Sequence, residues 1–135
     1  MLTDYLGGAK MYNINLSEGE WKLMKLLWQS QPRTIGEFVN ELHDDTGWTK
    51  TTVFVMLKRL IGKGAVRVDE SGRVHKYYPL IKRSDVTKEE TDSFLSRVYD
   101  GSLGMMVSSL VGRHALSAKE IEELKRILEN AERKG

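Results

Sequence analysis

One stretch decides the fold: Trp48-Thr-Lys-Thr-Thr-Val-Phe-Val-Met-Leu-Lys-Arg-Leu-Ile-Gly-Lys-Gly64. Its apolar residues recur at helical spacing, which predicts an amphipathic helix whose opposite face is polar and basic. Two segments of alternating polarity follow, Ala65–Asp69 and Arg73–Leu80, and the turn at Glu70–Gly72 between them predicts a β-hairpin. Two further predicted helices precede the stretch. Three helices and a basic hairpin predict a mainly α fold with a small β-hairpin wing, a winged helix-turn-helix, whose third helix enters a DNA major groove.

Helix start signals define the first two helices. Ser17 with Glu20, and Thr34 with Glu37, have the spacing of a capping box. The apolar stripes that follow predict the buried faces. These are Trp21, Leu23, Met24, Leu27 and Trp28 on the first helix, and Ile35, Phe38, Val39 and Leu42 on the second. The third helix is predicted to be capped by Thr49, to end at Gly62–Gly64, and to bury Val53, Met56, Leu57, Leu60 and Ile61.

The net charge of +2 hides an uneven distribution. Residues 48–83 hold nine basic and two acidic residues, a local net charge of +7, whereas residues 84–135 have a net charge of −2. Such asymmetry favours a polyanion as the partner of the basic part. A solvated charged surface is the alternative, and charge alone does not decide between the two.

The rotation of the third helix indicates which side chains face DNA. Val53 and Leu60 lie on the core side, and the side chains opposite them include Thr51, Val55 and Lys58. Because the start of a recognition helix meets base edges, the predicted base readers are Lys50, Thr51, Thr52 and Val55. Phosphate contacts are predicted for Lys58, Arg59, Arg67, Arg73, His75, Lys76, Lys82 and Arg83. Phe54 is expected to pack partly against a neighbour.

The chain is predicted to have three parts: a flexible tail over residues 1–15, a winged-helix domain over 16–83, and a helical dimerisation subdomain over 84–135. After a polar joint at Ile81–Asp85, three helices are predicted at about Val86–Tyr99, Leu103–Arg113 and Ala118–Ala131. Ser117 and Glu120 form a third capping-box pattern. Three short helices make a poor core alone, and two copies would bury them better. The predicted dimer contacts are Phe94, Leu95, Val98, Met106, Leu110, Ile121, Leu124 and Leu128; folding back onto the first domain is the alternative.

Several function classes find no support in the residues. The chain has no cysteine, and its three histidines fall in different predicted elements without the spacing of metal ligands. No nucleophile, base or glycine-rich phosphate loop forms a catalytic constellation, so no enzyme activity, metal or cofactor is expected. The apolar runs are shorter than the roughly 18 residues of a membrane span, and no secretory signal is recognised. A cytoplasmic protein is expected.

The chain resembles the penicillinase and methicillin-resistance repressor family, which also includes copper-responsive repressors. The resemblance runs from about Leu16 to Glu129. It is carried by Leu16-Ser-Glu-Gly-Glu-Trp21, Trp48-Thr-Lys-Thr-Thr-Val53, Leu57-Lys-Arg-Leu60, Tyr77-Tyr78-Pro79, Tyr99-Asp-Gly-Ser102 and Leu116-Ser-Ala-Lys-Glu-Ile-Glu-Glu-Leu124. It implies a homodimeric repressor of palindromic operators, with DNA contacts from the first turns of the third helix and dimer contacts from the C-terminal helices.

The resemblance also carries expectations about regulation. In β-lactam-responsive members, a membrane sensor-protease system triggers cleavage within the middle tail helix and releases the operator. The matching bond here is Ser109–Leu110, where family members tend to carry an Asn-Phe pair. Copper-responsive relatives carry cysteine pairs in the tail, so copper sensing by that route is excluded. Phe54 and Val55 replace more polar residues of the β-lactamase repressors, and a different operator sequence is therefore expected.

Two other functions are compatible with the sequence. One is a small-molecule-sensing regulator whose tail holds a ligand pocket lined by Phe94, Met105 and Met106. The other is a protein-interaction module that uses a winged helix without DNA. A ligand that raises the melting temperature and lowers operator affinity would favour the first. Binding to duplex DNA that does not depend on salt would favour the second.

Overall fold

A computed structural model of the chain describes residues 14–135, so most of the predicted tail lies outside the described part. Within these residues the chain forms six helices and one hairpin. They are α1 (Glu18–Gln29), α2 (Ile35–Thr46), α3 (Lys50–Gly62), β1 (Val66–Asp69), β2 (Lys76–Pro79), α4 (Arg83–Tyr99), α5 (Leu103–Gly112) and α6 (Ala118–Lys134). The chain divides into two compact units between Glu90 and Thr91.

The predicted capping boxes are all formed. At the start of α1, Ser17 Oγ accepts a hydrogen bond from the Glu20 backbone N–H at 3.1 Å, and Glu20 Oε1 accepts one from the Ser17 N–H at 2.8 Å. Equivalent reciprocal pairs open α2 and α6, formed by Thr34 with Glu37 and by Ser117 with Glu120. These bonds satisfy N–H groups that have no partner within the helix. The predicted starts of these three helices are therefore confirmed.

The core of the first unit draws on α1, α2, α3, the hairpin and the start of α4. Each fully buried Leu, Val or Phe side chain contributes about 1.5–3 kcal/mol relative to an exposed one. Most of the predicted stripes are confirmed. The buried apolar side chains are Leu23, Met24, Leu27, Phe38, Leu42, Val53, Leu57, Leu60, Ala65, Val66, Tyr77, Ile81 and Val86.

The orientation of α3 is set by Val53, Leu57 and Leu60, which have no exposed surface. Met56 lies at one edge of this stripe and is partly buried, because α1 comes close at Gly19, where a Cβ atom would clash with the Met56 methyl group. Ile61 lies at the other edge and is 36% exposed. The prediction that Ile61 is buried was wrong, because helical periodicity defines the centre of a stripe better than its margins.

The end of α3 is confirmed at the predicted glycines. Gly64 has a φ of 80°, a left-handed conformation that glycine adopts without the steric cost of a Cβ atom. Its N–H donates to the Ile61 carbonyl at 3.0 Å, and the Ala65 N–H donates to the Leu60 carbonyl at 2.9 Å. This pair of bonds is a Schellman motif. It turns the chain directly from α3 into β1.

The hairpin, whose residues 66–79 we call the wing, has shorter strands than predicted. Its antiparallel register runs from Val66 opposite Pro79 to Asp69 opposite Lys76. Residues 73–75 were predicted in the second strand but lie in the connection. The Asp69 carboxylate accepts hydrogen bonds from the Ser71 N–H at 2.9 Å and the Ser71 hydroxyl at 2.7 Å, which turns the chain before a longer ladder can form.

Arg33 joins the helices to the wing. Its backbone pairs with that of Tyr77, through Arg33 N–H to Tyr77 carbonyl at 3.1 Å and the reverse bond at 2.8 Å. The buried Arg33 guanidinium also donates to the Leu26 and Ser30 carbonyls, and it forms an ion pair with Glu41. These contacts fix the base of the wing against the end of α1 and the body of α2.

The segment Ile81–Asp85 is not the polar joint that was predicted. Ile81 is buried, and its carbonyl accepts a hydrogen bond from Trp28 Nε1 at 2.9 Å. Helix α4 begins at Arg83, and Val86 in its first turn is also buried. The two apolar side chains bind this segment to the core of the first unit. Of the four charged or polar residues between them, Lys82, Arg83 and Ser84 are exposed and Asp85 is half-buried.

The second unit has little core of its own. Within residues 91–135, no side chain is fully buried. Leu95, Met106 and Leu110 are half-buried, whereas the other predicted dimer residues are exposed: Phe94, Val98, Ile121, Leu124 and Leu128. Phe94 packs edge-on against Tyr99, with ring centroids 5.9 Å apart. Helices α5 and α6 follow the predicted spans closely, and α6 continues to Lys134.

Every helix among residues 14–135 is too short or too polar to span a lipid bilayer.

Candidate nucleic-acid interface

Helix α3 presents the predicted reading residues to solvent. Its core stripe fixes the helix rotation, and the side chains on the opposite face are exposed within the described residues 14–135. The exposed side chains on this face are Lys50, Thr51, Thr52, Val55, Lys58 and Arg59. Thr49 caps the helix, and its Oγ1 accepts a hydrogen bond from the Thr52 N–H at 3.2 Å. The first turn, where a recognition helix meets base edges, is therefore well ordered by its own hydrogen bonds.

A cleft of about 610 Å³ opens beside this face, and we call it the wing cleft. It lies between the start of α2, the first turns of α3 and the wing. Its lining residues are Thr34, Ile35, Gly36, Lys50, Thr51, Phe54, Arg73, Val74 and His75. Lys50, Thr51 and Arg73, which the sequence placed in two separate elements, are thus brought to one site.

The wing cleft has a positive electrostatic character. Lys50 and Arg73 are cationic at neutral pH, and none of the nine described lining residues carries a carboxylate. The start of α2 adds the positive end of a helix dipole, which the Glu37 carboxylate in its first turn, 2.8 Å from the Thr34 nitrogen, partly offsets. Glu70 lies just outside, with its Oε2 3.9 Å from His75 Nδ1, and both side chains are exposed. Such a surface attracts a phosphate backbone.

Four of the predicted contact residues on α3 lie outside the wing cleft. The Thr52 hydroxyl accepts a hydrogen bond from the hydroxyl of the capping residue Thr49 at 3.3 Å. This bond limits the rotation of the Thr52 side chain. Lys58 Nζ lies 5.7 Å from the centre of the Phe54 ring, within range of a cation–π contact. Val55 and Arg59 are exposed. Together they extend the contact face from the cleft along the helix.

Contacts of Asp69 and Arg67 define the turn of the wing. Hydrogen bonds from Ser71 hold the pKa of Asp69 below its ordinary value, and the charges of Arg67 and Lys76 act in the same direction. The Arg67 guanidinium also stacks on the Tyr78 ring, 3.9 Å from its centre. Arg67 and Lys76 therefore have contacts within the wing, whereas Arg73 lines the cleft.

Sequence reasoning missed part of this site. The start of α2, residues Thr34–Gly36, was not predicted to line it, although its capping box marked a helix N-terminus whose free N–H groups suit an anion. Phe54 was expected to pack partly and Val74 was assigned no role, yet both line the cleft. An apolar residue on a predicted basic face was the signal that could have found Phe54.

Among residues 14–135, no group of three His, Asp or Glu side chains is placed to hold a metal ion. The site consists of cationic, hydroxyl and apolar groups around an open cleft. Such groups bind and position a ligand, and the arrangement suits recognition of an extended polyanion.

This fold and surface define a winged-helix protein with a basic recognition face. The penicillinase repressor family matches residues 16–130, and the chain belongs to this family. The resemblance inferred from the sequence motifs is thereby confirmed.

The penicillinase repressor and the regulatory protein that follow agree with this assignment. The penicillinase repressor of Bacillus licheniformis is 39% identical over 114 residues, which cover 84% of this chain and 89% of that protein. The methicillin resistance regulatory protein MecI of Staphylococcus aureus is 29% identical over 119 residues, which cover 88% and 95%. The solution structure of the DNA-binding domain of the repressor BlaI shows 37% identity and a TM-score of 0.47, covering 56% of this chain and 90% of that one.

Proposed function

We propose that this protein represses transcription by binding operator DNA through the wing cleft and the adjoining face of α3. The convergence of Lys50, Thr51 and Arg73 in a cleft lined without carboxylates carries the proposal. Membership of the penicillinase repressor family supports it independently. The protein then acts in the cytoplasm, where bacterial operators lie. The relatives are repressors and a regulatory protein, and enzyme activity forms no part of the proposal.

The contact residues divide between two tasks. Lys50, Thr51, Thr52 and Val55 lie in the first two turns of α3 and face the bases, where a lysine can donate to guanine and a valine can contact a thymine methyl group. Phosphate contacts come from side chains further along α3 and on the wing: Lys58, Arg59, Arg73 and Lys76. The first set determines sequence preference, and the second supplies affinity for any duplex.

We further propose that the protein is a homodimer that binds a palindromic operator. The large apolar side chains left exposed in the second unit support this proposal, among them Ile121, Leu124 and Leu128 on α6. A second copy would cover these side chains, and a two-fold dimer matches paired DNA half-sites.

Release from the operator is proposed to follow cleavage of Ser109–Leu110 by a membrane sensor-protease system. This bond lies within α5, so the helix must unwind locally before a protease can bind an extended strand there. Mass spectrometry of the chain from cells treated with a β-lactam should detect fragments that end at Ser109 and begin at Leu110. An intact chain in treated cells whose regulated genes are induced would exclude this mode of release.

Selection from a random duplex pool, followed by two charge-removing variants, tests the proposed function. The chain should enrich a palindrome. Lys50→Ala should change which base pairs are preferred, because Lys50 lies at the reading end of α3. Arg73→Ala should weaken all duplexes by a similar factor and reduce the salt dependence of binding, because Arg73 contacts phosphate.

Lys25→Ala provides a matched control, since Lys25 is exposed on α1 and does not line the cleft. It should leave both affinity and preference nearly unchanged. Equal, sequence-blind losses from Lys50→Ala and Arg73→Ala would refute the base-reading role of Lys50. A small molecule that raises the melting temperature and lowers operator affinity would instead favour a ligand-sensing regulator.

A further inference from the structure

Two apolar side chains lie within the basic wing cleft. Phe54 on α3 is 43% exposed, and Val74 on the wing is 54% exposed. They line the same cleft as Lys50, Thr51 and Arg73. An isolated apolar side chain on a surface is common. A phenyl ring from α3 and a valine from the wing, lining one cationic cleft, suit an occupant that is both anionic and locally apolar.

Phe54 cannot turn into the protein core from its position on α3. The core side of this helix is occupied by Val53, Leu57 and Leu60, all without exposed surface. Phe54 lies one residue beyond Val53, so its side chain leaves the helix roughly 100° away from that stripe. The ring is therefore directed to the cleft by the same packing that fixes the rotation of α3.

A contact on the helix restricts the ring further. Lys58 lies one turn after Phe54, and its Nζ is 5.7 Å from the ring centre. A cation–π contact of this kind favours a limited set of ring positions. It also brings a positive charge to the edge of the apolar surface. The ring is thus held beside cationic groups that attract phosphate.

The charge of the cleft favours an anionic occupant, and the winged-helix fold favours duplex DNA among such occupants. Lys50 and Arg73 are cationic, and no described lining residue offers a carboxylate. The apolar group that a duplex exposes on its major-groove edge is the 5-methyl group of thymine, and phenylalanine is among the side chains that contact it. A phenyl ring on the recognition helix, beside Lys50 and Thr51, is in the element that enters that groove.

We propose that Phe54 determines operator specificity by packing its ring against the 5-methyl group of a thymine. The operator of this protein then requires thymine at the position that faces Phe54. This inference rests on the proposed function, since it assumes that α3 enters the major groove. It adds a base-reading residue beyond Lys50, Thr51, Thr52 and Val55.

The test removes single methyl groups from the DNA. The probe is the duplex that the full chain enriches most strongly from a random pool. Each thymine is replaced in turn by deoxyuridine, which lacks the 5-methyl group and keeps the base-pairing edge. Loss of one buried methyl contact should weaken binding about three- to fivefold at the thymine that Phe54 reads. With Phe54→Ala, replacing that thymine should have no further effect.

Two further variants keep the result interpretable. Phe54→Gln keeps a long side chain with good helix propensity, and it should also abolish the effect of the methyl group at that thymine. Ile61→Ala removes an exposed apolar side chain from the same helix outside the cleft, and it should leave the deoxyuridine scan unchanged. Thermal unfolding of each variant establishes that it is folded before its affinities are compared.

The outcomes separate the two proposals. A thymine whose methyl group matters to the wild-type chain and to Ile61→Ala, but not to Phe54→Ala or Phe54→Gln, supports the inference. Selective, salt-dependent binding without any such thymine overturns the inference and leaves the proposed function intact. Failure of the wild-type chain to bind any duplex overturns the proposed function, and the inference with it.

Discussion

Glu20 shows how one residue connects local and tertiary structure. It is 1% exposed, and its Oε1 accepts hydrogen bonds from the Ser17 N–H at 2.8 Å and from Lys63 Nζ at 2.6 Å. Lys63 also donates to the Asn15 carbonyl at 2.6 Å. Burial alone raises the pKa of Glu20, but the hydrogen bonds from Lys63 and Ser17 outweigh it and hold the pKa below 4.5. This carboxylate ties the start of α1 to the end of α3.

Replacing Lys63 should therefore lower stability in a pH-dependent way. Lys63→Met leaves Glu20 buried without its cationic partner and should lower the free energy of unfolding by about 2 kcal/mol at neutral pH. Because the folded-state pKa of Glu20 is depressed, its contribution is present above the unfolded-state pKa and is lost as pH falls through the folded-state value. The difference in free energy of unfolding between wild type and variant, measured by urea unfolding, should thus narrow as pH falls through the folded-state pKa of Glu20.

Lys22→Met is the control for this prediction. Lys22 Nζ lies 2.7 Å from Asp45 Oδ2, but this pair is on the surface, where solvent screens it. Its loss should change stability little. Equal losses from Lys22→Met and Lys63→Met would show that burial of Glu20 is not the source of the effect.

The sequence predicted Glu20 as a member of a capping box but not as a buried ion-pair partner. The capping box spans three residues and has a local pattern. The pairing with Lys63 joins residues 43 positions apart, and no periodicity reports it. The same distinction between local patterns and long-range contacts applies to the candidate site. Lys50 was predicted from its position at a helix start, whereas the cleft around Phe54 also depends on the wing, which the local pattern does not report.

The end of α3 gives a prediction at the level of the element. Gly62→Ala should raise the free energy of unfolding by about 0.5–1 kcal/mol, because Gly62 is helical and a Cβ atom there meets nothing within 4 Å. Gly64→Ala should lower it by about 1–2 kcal/mol, because Gly64 has a φ of 80°. Denaturant unfolding of the two variants measures both changes in the free energy of unfolding. The same sign for both would contradict the Schellman geometry at this helix end.

Helix starts were more predictable than the strands and the joint before α4. Ser17, Thr34 and Ser117 mark their helices through hydrogen bonds over three residues. The wing depends instead on the pairing of Arg33 with Tyr77 and on the turn at Asp69, and the start of α4 on the burial of Ile81. The first and third are tertiary contacts, and the second is a turn that shortens the strands. Alternation of polarity along the sequence does not predict any of them.

At the scale of the whole molecule, the exposed apolar side chains of α6 lead to a prediction about assembly. One charged substitution among them should dissociate the proposed dimer. Leu128→Glu should shift the protein from dimer to monomer in sedimentation velocity, because it places a carboxylate where the second copy is proposed to pack. Asn130→Glu adds the same charge outside the apolar stripe and should leave the dimer intact. A monomeric wild-type chain would contradict the proposed assembly.

The wing cleft could be predicted only in part. The exposed face of α3 follows from helical periodicity and a basic segment, both of which are local. The cleft forms where the start of α2, α3 and the wing meet, and the wing is joined to the helices by the backbone pairing of Arg33 with Tyr77. The family resemblance predicted DNA binding by the start of α3. Only the structure showed that Lys50, Thr51 and Arg73 line one cleft.

The salt dependence of duplex binding tests the central claim most directly. If Lys58, Arg59, Arg73, Lys76 and the neighbouring cations contact about six phosphates, affinity should fall about a thousandfold between about 50 and 200 mM salt, with a linear logarithmic plot. Arg73→Ala should make that slope shallower by about one. Absence of duplex binding at low salt, or an affinity that does not change with salt, would contradict the assignment of this face to DNA.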